Sequence, residues 1–215
     1  MLCAGMKTKT LLTIGGVLWV FGLGGWAQEA AEKGAAEKGA VGLVEAARGQ
    51  VGKTVRYDPA YVALKYPGGD VPEDRGVCTD VVVRAFRVAW KVDLQKAVHE
   101  DMAAHFSAYP KLWGAKRTDR SIDHRRVPNL RRYFERRGWE LKVTAEPGDY
   151  LPGDVVTCTV PPSLPHIMVV SDRKSAEGRP LVIHNIGRGA QEEDCLFRYP
   201  LTGHYRRVGR GGSEK

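Results

Sequence analysis

The feature that most constrains this chain is a change of period at Gly138. Before it, apolar residues recur three or four apart; after it they alternate. Five downstream stretches read as strands: WELKVT (139–144), DVVTCTV (154–160), HIMVVSD (166–172), PLVIHNI (180–186) and CLFRYPL (195–201). The separators LPGD, PPSLP, RKSAEGR and GRGAQEED are too short to hold crossover helices, so the strands must run antiparallel. Upstream, Val77 to Trp90 places Val77, Val81, Ala85 and Val88 on one stripe, with Arg84, Arg87 and Lys91 facing away. A second helix is expected from Asp93 to about Ala108, and a third from Pro128, an N1 proline, to Gly138. A short helix precedes them, from Val41 to Gly49. Helices first and a meandering sheet afterwards make an α+β domain.

The first 27 residues read differently. Lys7 and Lys9 precede the uncharged run LLTIGGVLWVFGLGG, and Gly25-Trp26-Ala27 gives a small-x-small site. That order is a secretory signal peptide; the rival is a membrane anchor, for which the run is short and glycine-rich. Residues 28–40 (QEAAEKGAAEKGA) repeat AAEKG without an apolar face and are expected to be a solvated linker. The domain is then 41–207, with a disordered tail at 208–215. The chain would be exported, to the periplasm or cell envelope, and would be monomeric. Its formal charge of +8 falls to +6 once Lys7 and Lys9 are removed. The basic residues are scattered and no aromatic platform interleaves them, so a nucleic-acid partner is not expected.

Three cysteines remain in the mature chain: Cys78, Cys158 and Cys195. In an oxidising compartment two readings stand for Cys158 and Cys195: they pair, or each is buried. Either way Cys78 is the odd one. It opens the helix after RGV, where unpaired N–H groups and the helix dipole favour a thiolate. His166 opens a strand after a proline-rich turn, and His184 stands in the next strand. If those strands pair, the two rings meet at one end of the sheet, giving a nucleophile, a base and a group that orients the base. Core packing for Cys78 and a metal site for the histidines are the competing readings of the same residues.

The residues also carry a resemblance. A cysteine at a helix start, LPGDVV (151–156) and then HIMVV (166–170) resemble the NlpC/P60 and CHAP branch of papain-like cysteine hydrolases, and VEAARGQVG resembles that branch's entry helix. The run from RYDPAYVALKYPGGDVPEDRGVCTDVVVRAFR through SIDHRRVPNLRRYF to VIHNIGRG is similar to the DUF1287 family of exported bacterial proteins, over about residues 41–207. The resemblance implies a papain-like fold and cleavage of an amide in peptidoglycan, with no metal or cofactor. It makes Cys78 the nucleophile, His166 the base and His184 the third residue, with Asn185 competing for that place. The branch commonly has Asp-Cys-Ser at the nucleophile, whereas here the run is Val77-Cys78-Thr79, with Asp80 further on. Asp80 either binds a substrate amine or complements the helix N-terminus. Asp123 and His124 are either a cap and an exposed residue or part of the cleft, where Arg125 or Arg126 would hold a substrate carboxylate. Tyr57 either packs under its loop or donates to an oxyanion. The rivals are a zinc hydrolase built from His166, His184 and Asp123 or His124, an acyltransferase using Cys78, and a non-catalytic cell-wall binding module.

Overall fold

The computed structural model describes residues 23–207. The signal segment up to residue 22 and the tail from 208 lie outside the described residues. Four α-helices precede the main sheet: α1 (Leu23–Arg48), α2 (Cys78–Trp90), α3 (Leu94–Ala104) and α4 (Val127–Arg136). Two short strands, β1 (Arg56–Tyr57) and β2 (Arg75–Gly76), pair in parallel and close the long loop between α1 and α2. The other strands are β3 (Glu140–Leu141), β4 (Val155–Val160), β5 (Leu164–Lys174), β6 (Pro180–Asn185), β7 (Ala190–Glu193) and β8 (Leu201–Tyr205). They form one antiparallel sheet in the order β3-β8-β4-β5-β6-β7. The α+β expectation holds, and no described helix is long and apolar enough to cross a membrane.

Alternation along the strands builds two cores. Val155, Ile167, Val169 and Ile183 face the helices, packing against Leu43, Val81, Phe86, Leu130 and Phe134. Val156, Met168, Val170 and Val182 face the other way, into a smaller cluster with Cys158, Cys195 and Leu196. All three described cysteines are buried and free, so Cys158 and Cys195 do not pair.

Several local expectations are corrected. Residues 28–40 are not a linker but the N-terminal part of α1. Alanine, glutamate and lysine are strong helix formers, and their summed propensity outweighs about 1 kcal/mol for each glycine. One glycine serves packing: Gly39 is buried, and a Cβ there would lie 2.0 Å from Trp90 Nε1, whereas Gly34 faces open space. β7 comes from a segment read as a separator, because Gly187-Arg188-Gly189 makes a hairpin turn and the glutamates that follow use their charges rather than apolar area. The last strand starts at Leu201, after Pro200, since residues 195–200 form a turn and loop. Arg84 does not face solvent. It is buried, and its guanidinium binds Asp70 and the carbonyls of Val71, Pro72 and Arg75, holding the long loop against α2.

The PGD turn shows why its residues are what they are. Gly153 has φ +85°, and a Cβ there would stand 2.8 Å from the Cα of Ala40 in α1. Asp154 is buried and accepts from Leu151 N–H, His204 Nε2 and Arg206. Gly153→Ala is therefore expected to cost about 1–3 kcal/mol through overpacking beyond the backbone strain. Gly178→Ala, at φ +79° in open space, should show the strain alone, about 1–2 kcal/mol. Urea denaturation of the two variants measures the difference; equal losses would refute the close approach to α1.

Candidate functional site

α2 starts because residues 77–80 satisfy its open end. Val77 is extended, and its N–H donates to Asp80 Oδ2 at 2.7 Å. Cys78 is thereby the first residue of the helix. The segment before it enters a notch in the sheet. Pairing of β5 with β6 begins at Val169–Ile183, leaving the strand ends toward Ile167 and Asn185 apart. Asn185 Nδ2 donates to Gly76 O at 2.9 Å, tying the segment before the helix tip to β6, and the backbone N–H of Ile167 in β5 favours the thiolate form of Cys78.

His166 and His184 stand at the same notch. By alternation they share the sheet face of Met168 and Val182. His166 Nε2 and His184 Nδ1 are 2.8 Å apart. His184 Nε2 in turn lies 3.3 Å from Glu193 Oε2. A carboxylate only accepts, so His184 carries its proton on Nε2, and its Nδ1 accepts the Nε2 proton of His166. That leaves His166 Nδ1 with a lone pair. No hydrogen bond within the described residues reaches Nδ1, and it is not enclosed. The Cys78 thiol and the His166 ring are not hydrogen-bonded to one another. Cys78 belongs to the core on the helix side of the sheet, and His166 shares the opposite face with Met168.

Burial controls the protonation of this cluster. Cys78 is 5% exposed, and loss of water pushes its thiol up to about 12 against the weaker pull of the Ile167 N–H. The helix N-terminus does not produce a resting thiolate, contrary to expectation, because desolvation outweighs it. Burial, and then the neighbouring His184, hold His166 down to about 3. At neutral pH the thiol and the imidazole both rest neutral.

A cleft of about 240 Å³ opens over Cys78, walled by Tyr57, Trp113, Arg126 and Pro165. Tyr57 is 39% exposed, so it is not packed away under its loop, and its hydroxyl makes no hydrogen bond among the described residues. Its phenol is held above its usual range by partial burial and by Cys78. The Arg126 guanidinium lies 3.9 Å from the Trp113 ring centroid, a cation stacked on an aromatic face.

Other expected site residues have different work. Both Asp80 oxygens are taken by Arg125, at 3.0 Å each, and both side chains are buried. Arg125 also donates to Ala60 O and Asp58 O. Neither Asp80 nor Arg125 has a group left for substrate. Asp123 accepts from Asp119 N–H and lies 2.9 Å from His99 Nδ1, which organises the loop before α4. His124 is neither exposed nor in the cleft. It is buried, and burial followed by the charge of Arg125 lowers it to about 4. Asn185 faces the helices and is a strut rather than a partner of His166. Glu193 was missed because it lay in the segment read as a separator; the signal was an acid two residues from the strand position opposite His184.

The fold and site together define an α+β protein with a helix-tip cysteine on a cleft and a coupled histidine pair on the adjoining strands. The chain belongs to the DUF1287 family: the model of that domain of unknown function matches residues 44–207. It is similar to the uncharacterized protein YijF of Escherichia coli (strain K12), at 57% identity over 164 residues, covering 76% of this chain and 80% of that protein. No solved structure matches significantly.

Two predictions follow the electrostatics. Arg125→Met strands the Asp80 charge at the helix tip and should cost about 3–5 kcal/mol, read by chemical denaturation. His166 and His124 are depressed from the ordinary 6.5 to about 3 and about 4. Below 6.5 the unfolded chain takes up protons that the folded chain refuses, so stability is full above 6.5 and falls as pH drops toward 4. Urea midpoints between pH 7 and pH 4 should decline, and more shallowly in His124→Gln; a flat profile contradicts the assignment.

Proposed function

We propose that this protein is an exported cysteine hydrolase of papain-like architecture, related to the NlpC/P60 group, that cleaves an amide bond in peptidoglycan stem peptides. The reading is carried by the 2.8 Å His166–His184 contact at the notch that also receives the Cys78 sulfur. His166 Nδ1 takes the thiol proton as the sulfur attacks the substrate carbonyl. A carbonyl carbon bonded to sulfur becomes tetrahedral, and its oxyanion is held by the N–H groups of the α2 tip, with Tyr57 as a donor from across the cleft. Protonated His166 then gives its proton to the leaving amine, and water releases the acyl group. His184 and Glu193 act as positioning residues, holding His166 in the tautomer that leaves Nδ1 free. Because thiol and imidazole rest neutral, the proton moves only as attack occurs, and their hydrogen bond forms in the substrate complex, as such bonds commonly tighten there.

Arg126 supports the choice of substrate. It lines the cleft and makes no ion pair with a carboxylate among the described residues. A peptide rich in free carboxylates supplies what it lacks. A zinc hydrolase finds less support: Asp123 is engaged with His99 and Asp119, and His124 is buried away from the cleft.

Purified protein incubated with peptidoglycan fragments should give new amine termini by mass spectrometry. Cys78→Ser and His166→Ala should abolish them; unchanged cleavage by Cys78→Ser would overturn the cysteine mechanism, and no cleavage by the unmodified protein would leave a binding module. Glu193→Ala should lower kcat at least about tenfold, part of the 10²–10⁴ a general base supplies, with KM little changed. Arg126→Ala should do the reverse, raising KM about tenfold, the worth of one charge-assisted hydrogen bond.

A further inference from the structure

Behind the histidine pair, on the sheet face turned from the helices, Cys195 joins the two groups that fix the tautomer. Its sulfur lies 3.4 Å from His184 Nε2, which lies 3.3 Å from Glu193 Oε2, and the three atoms all fall within 4.8 Å of one another. We propose that His184, Glu193 and Cys195 form a binding site for a thiophilic divalent cation of the zinc class, and that filling it switches the histidine pair off. The switching half rests on the hydrolytic reading above; the binding half does not.

The donor set and spacing fit such an ion. Imidazole nitrogen, thiolate sulfur and carboxylate oxygen are zinc's usual ligands. Bond lengths of about 2.0–2.3 Å in a tetrahedron put ligand atoms about 3.4–3.6 Å apart. Two of the three edges are already close to that, and only the Cys195–Glu193 edge has to adjust. A thiolate and a carboxylate together neutralise a divalent charge. The ligands come from β6, the end of β7 and the turn after it, so one hairpin carries the site. Arg188 pairs with the other Glu193 oxygen but is 73% exposed on its side chain, so it can move aside and leave a coordination position open to water.

Occupation reverses the proton arrangement. A cation on His184 Nε2 requires that nitrogen's lone pair, so the ring proton must sit on Nδ1. That N–H then donates to His166 Nε2, and the proton formerly on His166 Nε2 resides on Nδ1. Both rings stay neutral with one proton each, and only the Cys195 thiol proton leaves for solvent. His166 Nδ1, the atom needed to accept the Cys78 proton, is now occupied.

The binding half is tested on full-length protein carrying Cys78→Ser, which removes chelation by the nucleophile. Titration with Co²⁺ should give a thiolate-to-cobalt charge-transfer absorption saturating at one equivalent and displaced by Zn²⁺. Adding Cys195→Ser should abolish that absorption. Adding Glu193→Ala instead should weaken binding by at least the about 10- to 100-fold that loss of an outer partner costs. No charge-transfer band, or one unchanged by Cys195→Ser, overturns the site. For the switch, Zn²⁺ should inhibit peptidoglycan cleavage by the otherwise unmodified protein. Cys195→Ser should resist that inhibition while keeping its zinc-free rate; equal inhibition means the ion acts at Cys78 and overturns the switch. If no substrate is cleaved at all, the hydrolytic reading fails while the cobalt titration still decides the metal site.

Discussion

The site depends on one buried ion pair. Asp80 and Arg125 meet in a two-pronged contact with both side chains almost wholly out of water. An isolated charge in that position would be prohibitive, so each residue fixes the other. Asp80 also takes the N–H of Val77, which sets where α2 begins and so where the Cys78 sulfur points. Arg125 reaches the carbonyls of Asp58 and Ala60, which sets the loop that carries Tyr57. The next residue, Arg126, is delivered to the cleft by the same backbone. Cys78, Tyr57 and Arg126, all lining the cleft, therefore share a single anchor.

How much of this was legible follows from the kind of signal each part leaves. α2 and the strands holding His166 and His184 bury wide apolar faces, and a wide face writes a clear period. The two histidines were placed by the same alternation, and their contact needed only that adjacent strands pair. What escaped was held by polar groups. Arg84 looks like a surface arginine in sequence, because nothing local reveals that loop carbonyls will surround it. β7 is four residues, three of them polar, and its two glutamates make ion pairs rather than a core. The helical reach of α1 across 28–40 was hidden by its glycines, which look like breaks until Trp90 and the PGD turn are seen packed against that stretch. Asp80 serves the helix N-terminus and Asp123 orders a loop, while His124 is buried where the sequence suggested exposure or the cleft; the partners of Asp80 and Asp123 that decide this lie 45 and 24 residues away, and so belong to tertiary structure.

The arrangement of the two histidines also explains why a third strand matters. One imidazole can hold its proton on either nitrogen, and two in contact merely share the ambiguity. Glu193, on the outermost strand, removes it, because a carboxylate has no proton to give. The direction set at the sheet edge passes through His184 to His166 without any net charge moving. An edge strand that contributes little apolar area thus has a chemical reason to be present.

Keeping the Cys78 sulfur protonated has a further consequence. Peroxide and related oxidants attack the thiolate, and the first product, a sulfenic acid, leads on to states that cannot be reversed without dedicated repair. A thiol held near 12 by burial offers almost none of its reactive form while the cleft stands empty. The same desolvation that postpones ionisation shelters the sulfur from oxidative damage.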